Sequence, residues 1–457
     1  MNLLHHHLRS EIRPMLALAV PMVLTELGWM SMSTVDVLMV GPLGPESIGA
    51  VGVGSMLFLA LAVFGIGILL GLDSLIPQAF GAKKLDECRR WLLHGVVMSV
   101  CLALPLMLLV WLGLPFLDLW GFSAEVLRLT VPYLEIITWS TWPLLLYVAL
   151  RRYLQAMGVV KPVMFTLLSA NLINIVANWV LIHGHFGAPA LGVNGAGWAT
   201  CISRLYMAIS LVVAVFLHDA KSGHLFRQTA FRIELHRMWQ LLRLGLPAAI
   251  QVTLEVGVFS ASTALAGKFP AIALAAHQIV LNMASITFMV PLGMASAAAV
   301  RVGHAVGRID PAGASRAAWT AVMLGVVFMA GAAALFLLVP APLMRLFTTD
   351  AAVITTGVSL LFVAAIMQMV DGLQGVLTGV FRGVGDTRTP MLWNLAGHWC
   401  LGLPLGYSLC FLWGVGVIGL WIGLSTGLAV VALILLAVWT NRARGLANWL
   451  SSDLQKS

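Results

Sequence analysis

QAFGAKKLDECRRW (residues 78–91) and HAVGRIDPAGASRAAW (residues 304–319) are two versions of one connection. Gly81 answers Gly307 and Arg90 answers Arg316, each pair 226 residues apart. Working outward, the same shift recurs. Pro21 and Pro247 open apolar runs, and Gly41 and Gly267 close them, again at 226. QAMGVVKP around Gly158 matches RGVGDTRTP around Gly385 at 227, and GVNGAGW from Gly192 matches GVIGLW from Gly416 at 224. Landmarks that keep one offset at so many places mark a duplicated unit.

The runs between these connections are long enough to cross a hydrocarbon core, which takes about 20 apolar residues per helix. Twelve spans are expected, over roughly 14–40, 47–73, 91–113, 126–150, 161–182, 192–216, 238–266, 274–299, 317–339, 351–380, 391–411 and 415–439. A membrane barrel would instead show short segments of alternating polarity. The expected fold class is therefore an all-α polytopic membrane protein with twelve transmembrane helices in two six-helix lobes. Six spans per repeat give both lobes the same orientation, so a pseudo-two-fold axis along the membrane normal is expected. The expected domains are an N-terminal lobe over 1–216, a polar cytoplasmic interlobe linker over 217–237, and a C-terminal lobe with a cytoplasmic tail over 238–457.

Composition agrees. Of 457 residues 60% are hydrophobic and only 10% charged, against about 25% charged in a soluble domain. Such a chain exposes too much apolar surface to stay dissolved. The five cysteines form no CxxC pair, which excludes a disulfide frame or zinc site. The net charge of +8 reports orientation rather than a nucleic-acid partner. All but four of the 26 Lys and Arg fall on one side of the alternating spans; Lys268 and Arg345 fall on the other, and Arg128 and Arg204 within spans. The positive-inside rule then places both termini in the cytoplasm of a plasma membrane, a bacterial inner membrane, with anionic lipid as a partner. No Walker A, HExxH or nucleophile-elbow sequence occurs, so an enzyme, a bound cofactor and direct ATP drive are not expected.

Ionisable side chains within spans are expensive and point to function. Asp36 lies in STVDVLMVG of the first span, and the fifth carries Asn171, Asn174 and Asn178 at i, i+3 and i+7, on one helix face. A carboxylate with Asn174 and Asn178 beside it suits a proton or a hard cation such as Na⁺. In the second half Glu255 follows Gln251, and Asp371 precedes Gln374. The eighth span offers Gln278 and Asn282 beside His277. Position 29, which is 226 before Glu255, is Trp29, so the lobes share a frame but not a site. Glu26 and Glu135 either line a cavity for a cationic compound or pair with a polar neighbour. Arg204 either neutralises an acid or touches a ligand. With 22 Met and 16 Trp, an adaptable apolar cavity for lipophilic cations is expected.

These pieces resemble the multidrug and toxic compound extrusion (MATE) family, in its NorM-like branch. The resemblance rests on Pro21 with VDVLMVG, QAFGA, NLINIVANW, Glu255, AAHQIVLN, RVGHAVG, Asp371 and RGVGDTRTP, in order and in both halves. It implies a secondary antiporter, working as a monomer, that exports organic and often cationic compounds in exchange for H⁺ or Na⁺ by alternating access. Asp36 with Asn174 and Asn178 would be one cation site, with Na⁺ a candidate occupant, and Glu255 with Asp371 the other. Some relatives have a tyrosine four residues before the final aspartate. Here that position is Met367, which removes one Na⁺ contact and leans the reading towards H⁺. The alternatives are a lipid-linked precursor flippase of the same superfamily and, more remotely, a channel or receptor. A flippase needs a cationic cavity for pyrophosphate, whereas these spans hold more acids than bases.

Overall fold

The computed structural model describes residues 2–121, 123–221 and 232–445, and every side chain among them except those of 2–10, 120 and 221. Residues 222–231 of the expected linker and 446–457 of the expected tail lie outside the described residues. Among the described residues there is no strand, and eleven helices are long and apolar enough to span a membrane, twelve when one bent pair counts as a single span. In order they are Glu11–Leu43, Pro45–Gly81, Leu85–Leu119, the bent pair Ala124–Thr138 and Thr141–Ala156, Val160–His183, Val193–Ala220, Leu235–Ala266, Ala271–Gly307, Pro311–Leu338, Ala351–Val384, Arg388–Leu412 and Val417–Arg444. The chain is a polytopic all-α membrane protein.

The second and eighth spans are longer than their apolar runs, at 37 residues each. At 1.5 Å per residue each is about 55 Å long, well beyond the hydrocarbon core. QAFG and HAVG are therefore the last helical turns before a loop rather than the loop itself. Both helices end alike. Lys83 (φ 61) and Ile309 (φ 57) are left-handed, 226 residues apart. Lys84 N–H then donates to the Ala79 carbonyl at 3.0 Å, and Asp310 N–H to that of Ala305 at 2.9 Å. A residue in this conformation, followed by a bond reaching back five residues, closes a helix by satisfying its orphan carbonyls. Gly158 and Gly385 do the same for the fourth and tenth spans, with φ 76 and 87. The duplication seen in the sequence thus extends to backbone conformation.

The fourth span bends by 46° between Thr138 and Thr141. Pro143 supplies no N–H for the carbonyl of Trp139, and three hydroxyls fold back on the helix. Thr138 donates to Leu134 O at 2.6 Å, Ser140 to Ile137 O at 2.5 Å and Thr141 to Thr138 O at 2.6 Å. The eleventh span contains two π-helical segments, Leu395–Gly402 and Ser408–Leu412.

The chain divides into two compact units, one of Met1–Val23, Gly81–Lys83 and Ile250–Ser457, the other of Leu24–Phe80 and Lys84–Ala249. The cuts after Val23 and after Ala249 fall two residues beyond Pro21 and Pro247, at the same 226 offset. The unit of Leu24–Phe80 and Lys84–Ala249 packs around Tyr133, Tyr147 and Tyr153, all essentially inaccessible. Gly54 of the second span lies so close to Tyr133 that an added Cβ would stand 2.5 Å from its ring. In the other unit the eighth and tenth spans meet through small residues, the usual route to close helix packing in lipid. Gly379 and Gly383, one turn apart, sit directly over the Ala295 and Ala299 carbonyls.

Candidate functional site

Asp36 is 5% exposed, and its carboxylate is held by three neutral donors. Asn174 Nδ2 reaches Oδ1 at 3.0 Å and Asn178 Nδ2 reaches the same oxygen at 2.8 Å. Thr200 of the sixth span donates its hydroxyl to Oδ2 at 2.8 Å. Asn178 also donates to Asn174 Oδ1 at 3.1 Å, while its own Oδ1 is buried without a partner. One turn down the fifth span, Asn171 donates to the Gly28 carbonyl at 3.0 Å. The i, i+3, i+7 asparagines thus join the fifth span to the first, from Gly28 to Asp36. Sequence reasoning missed Thr200, one hydroxyl among many in apolar helices; its only trace is its place one turn before Arg204.

Asp36, Asn174, Asn178 and Thr200 carry oxygens of the hard kind that suits Na⁺, but the two asparagines turn Nδ2 towards Asp36, and Asn178 Oδ1 is buried without a partner. A proton on Asp36 needs no such shell. Among the described residues no group of three or more His, Cys, Asp or Glu side chains is placed to hold a metal.

The second acidic pair differs in kind. Asp371 is 5% exposed and its Oδ1 has no hydrogen-bond partner; Glu255 is half-buried. The expected amides do not surround them. Gln278 and Asn282 are exposed, and among the described residues no hydrogen bond joins either to Glu255 or Asp371. Gln251 bonds Thr378 at 3.4 Å, and Gln374 bonds Asn394 at 2.8 Å. His277 accepts from Trp421 Nε1 at Nδ1 (3.0 Å), so its Nε2 carries the hydrogen towards Thr263 (3.1 Å) and the ring is neutral. Met367 is 2% exposed and belongs to the apolar core of this unit.

Two other acids divide. Glu135 is exposed on the first segment of the fourth span. Glu26 is buried against Arg151, which hydrogen-bonds its Oε1. Arg151 and Arg152, just past the expected end of the fourth span at 150, are buried inside Thr141–Ala156. Arg152 pairs with Asp73 at 3.3 Å. The excess of acids over bases in the spans is reduced accordingly, because Glu26, and Asp73 near the end of the second span, are each paired with an arginine.

A bundle of apolar spans around a buried carboxylate held by neutral donors is the architecture of a membrane transport protein. The sequence model of the MatE family matches residues 21–180 and 247–408. A probable multidrug resistance protein NorM of Mesorhizobium japonicum is 38% identical over 443 residues, covering 95% of each chain. One from Rhodopseudomonas palustris is 39% identical, over 94% of this chain and 91% of its own. The multidrug resistance protein NorM of Burkholderia vietnamiensis is 36% identical, over 92% and 91%. The crystal structure of a eukaryotic MATE transporter superposes with a TM-score of 0.87 at 23% identity, covering 97% of this chain and 100% of that one. A MOP superfamily transporter from Pyrococcus furiosus gives 0.86 at 19%, over 96% and 98%. The chain belongs to the MATE family, in its NorM-like branch.

Proposed function

We propose that this chain is a secondary active multidrug efflux antiporter, exporting lipophilic and mainly cationic organic compounds in exchange for H⁺ or Na⁺. The observation that carries this is Asp36, a buried carboxylate with three neutral donors and an unpartnered acceptor beside it. A carboxylate buried for packing alone would be an expensive choice, since neutral side chains join membrane helices as well. Asp36 therefore takes the coupling cation, with Asn174, Asn178 and Thr200 orienting it. Glu255 and Asp371 form the second acidic site, and Glu135 adds an exposed negative charge that attracts cationic substrates. The curated relatives named for multidrug resistance support the substrate class. The working unit is the monomer, in a bacterial inner membrane with both termini cytoplasmic, and the two six-helix lobes alternate access.

The leaning is towards H⁺, because a proton needs only the carboxyl whereas Na⁺ needs several oxygens at fixed distances. The test is export of a cationic dye from proteoliposomes with the pH and Na⁺ gradients clamped separately. A pH gradient should drive export without Na⁺, and Asp36→Asn, which keeps the shape of the side chain, should abolish driven export at equal abundance. Wild-type rates in Asp36→Asn would overturn the assignment.

A further inference from the structure

Arg204 lies in the middle of the sixth span, 9% exposed. Its Nη1 donates to Ser140 at the bend of the fourth span (2.6 Å), and its Cζ stands 4.6 Å from the Phe58 ring centroid and 5.9 Å from that of Trp29. Nε is buried without a partner, and among the described residues no carboxylate pairs with the guanidinium. A buried cation left this way is costly unless a charge elsewhere balances it. The other buried arginines of the same unit have one: Arg89 pairs with Asp219, Arg151 with Glu26 and Arg152 with Asp73.

The balancing charge for Arg204 is the carboxylate held by the next turn of its own helix. Thr200, on the same helix face, donates to Asp36, and the guanidinium and that carboxylate lie within each other's field. Facing Asp36 are Asn174 and Asn178 from the fifth span and Thr200 from the sixth. Tyr133, from the fourth, lies within the field of Asp36 and bonds Ser55 of the second at 2.9 Å. Cys201 and Ser140 lie beside Arg204. Apart from Asp36 and Arg204, all of these side chains are neutral.

We propose that Arg204 is the built-in counter-charge of Asp36, a positioning residue that keeps cation binding there weak enough to reverse. The proposal rests on the reading of Asp36 as the coupling site. With the site empty, carboxylate and guanidinium balance each other, Thr200 holding Asp36 one helical turn from Arg204. When a proton or Na⁺ arrives, Arg204 loses its balance, and the stored repulsion favours release on the side where the cation is scarce. A neutral side chain at 204 removes that repulsion, so the cation binds more tightly and leaves more slowly.

The test uses the full chain in detergent. Proton uptake is followed through the carboxylic-acid C=O infrared band that Asp36→Asn removes, and Na⁺ binding by titration calorimetry. Arg204→Met and Arg204→Gln should tighten whichever cation the wild type binds by about tenfold or more, moving the proton midpoint up by about one pH unit. Arg204→Lys, which keeps the charge, should stay near wild type. Either neutral variant suffices if the other does not fold. A wild-type midpoint in a folded neutral variant, or an equal shift in Arg204→Lys, would sink the proposal while leaving Asp36 as the coupling site. Absence of any Asp36-dependent uptake in the wild type would remove the functional reading and this inference together.

Discussion

Glu26 shows how much depends on the partner a buried charge finds. Had it faced a cavity alone, its charge would attract an organic cation. Paired with Arg151, both under 10% exposed, it is a structural ion pair whose charge is spent inside the protein. Removing one member of a buried pair strands the other, typically at about 3–5 kcal/mol. Glu26→Gln should therefore lower thermal stability in detergent by several kcal/mol. Dye export per folded molecule should stay near wild type. A stable Glu26→Gln protein with weakened export of cations alone would return Glu26 to the substrate path. Asp36 is the opposite case. Its hydrogen-bond partners Asn174, Asn178 and Thr200 are all neutral, and no cation pairs with it directly among the described residues.

Among the elements, the ends of helices carry the most legible physics. The RGVGDTRTP segment is a stop and a start. Gly385 closes the tenth span in the left-handed conformation, and Asp386 then caps the eleventh. Asp386 accepts from the Thr389 N–H at 3.0 Å and hydroxyl at 2.7 Å, and from Arg442 of the twelfth span at 2.8 Å. Burial alone would push this carboxyl up; the Thr389 and Arg442 hydrogen bonds outweigh it and hold the group below the usual carboxylate range. A group depressed in the folded state contributes stability above its unfolded value, near 3.9, and loses it as pH falls through the folded value. Asp386→Ala should cost about 1–2 kcal/mol at neutral pH. Unfolding of both proteins measured from neutral to strongly acid pH should show that difference shrinking only below about pH 4. A gap that persists unchanged in acid would mean that the cap and the Arg442 pair do not support this turn.

For the whole molecule the proposed antiport turns on the coupling ion, and each acidic site bears on that proposal differently. Asp36 is faced by the Nδ2 groups of Asn174 and Asn178 and the Thr200 hydroxyl, whereas Asp371 has a buried oxygen without a partner and the methyl-thioether of Met367 one turn away in the apolar core. A phenol at 367 would return a hydroxyl and a ring face. Met367→Tyr should leave pH-driven dye export intact and raise the Na⁺-driven component at least severalfold in proteoliposomes with each gradient imposed alone. If the variant exports no faster under a Na⁺ gradient, the second site does not limit Na⁺ use. Substrate charge is tested in the same vesicles, where anionic compounds should be exported far more slowly than cations of equal lipophilicity.

Much of this protein was determined by its sequence alone. The apolar runs were legible because backbone polar groups in lipid must be satisfied within each helix, so each span is written locally, and the 226-residue offset marked the duplicated unit. The pairing of Asp36 with Asn174 and Asn178 was legible for a related reason, since helical periodicity puts the two amides on one face. What the sequence could not decide was which faces meet. Glu26 could equally have lined a cavity or paired with a neighbour until the fold set Arg151 against it. Gln278 and Asn282, suitably spaced on their own helix, turn out to be exposed and unbonded to the acids of the seventh and tenth spans. Thr200 and Arg204 acquired meaning only when the sixth span was packed beside the first and fourth. Local hydrogen bonding dictates each helix, but long-range packing decides whether a buried charge is neutralised, stranded or left open to a cation.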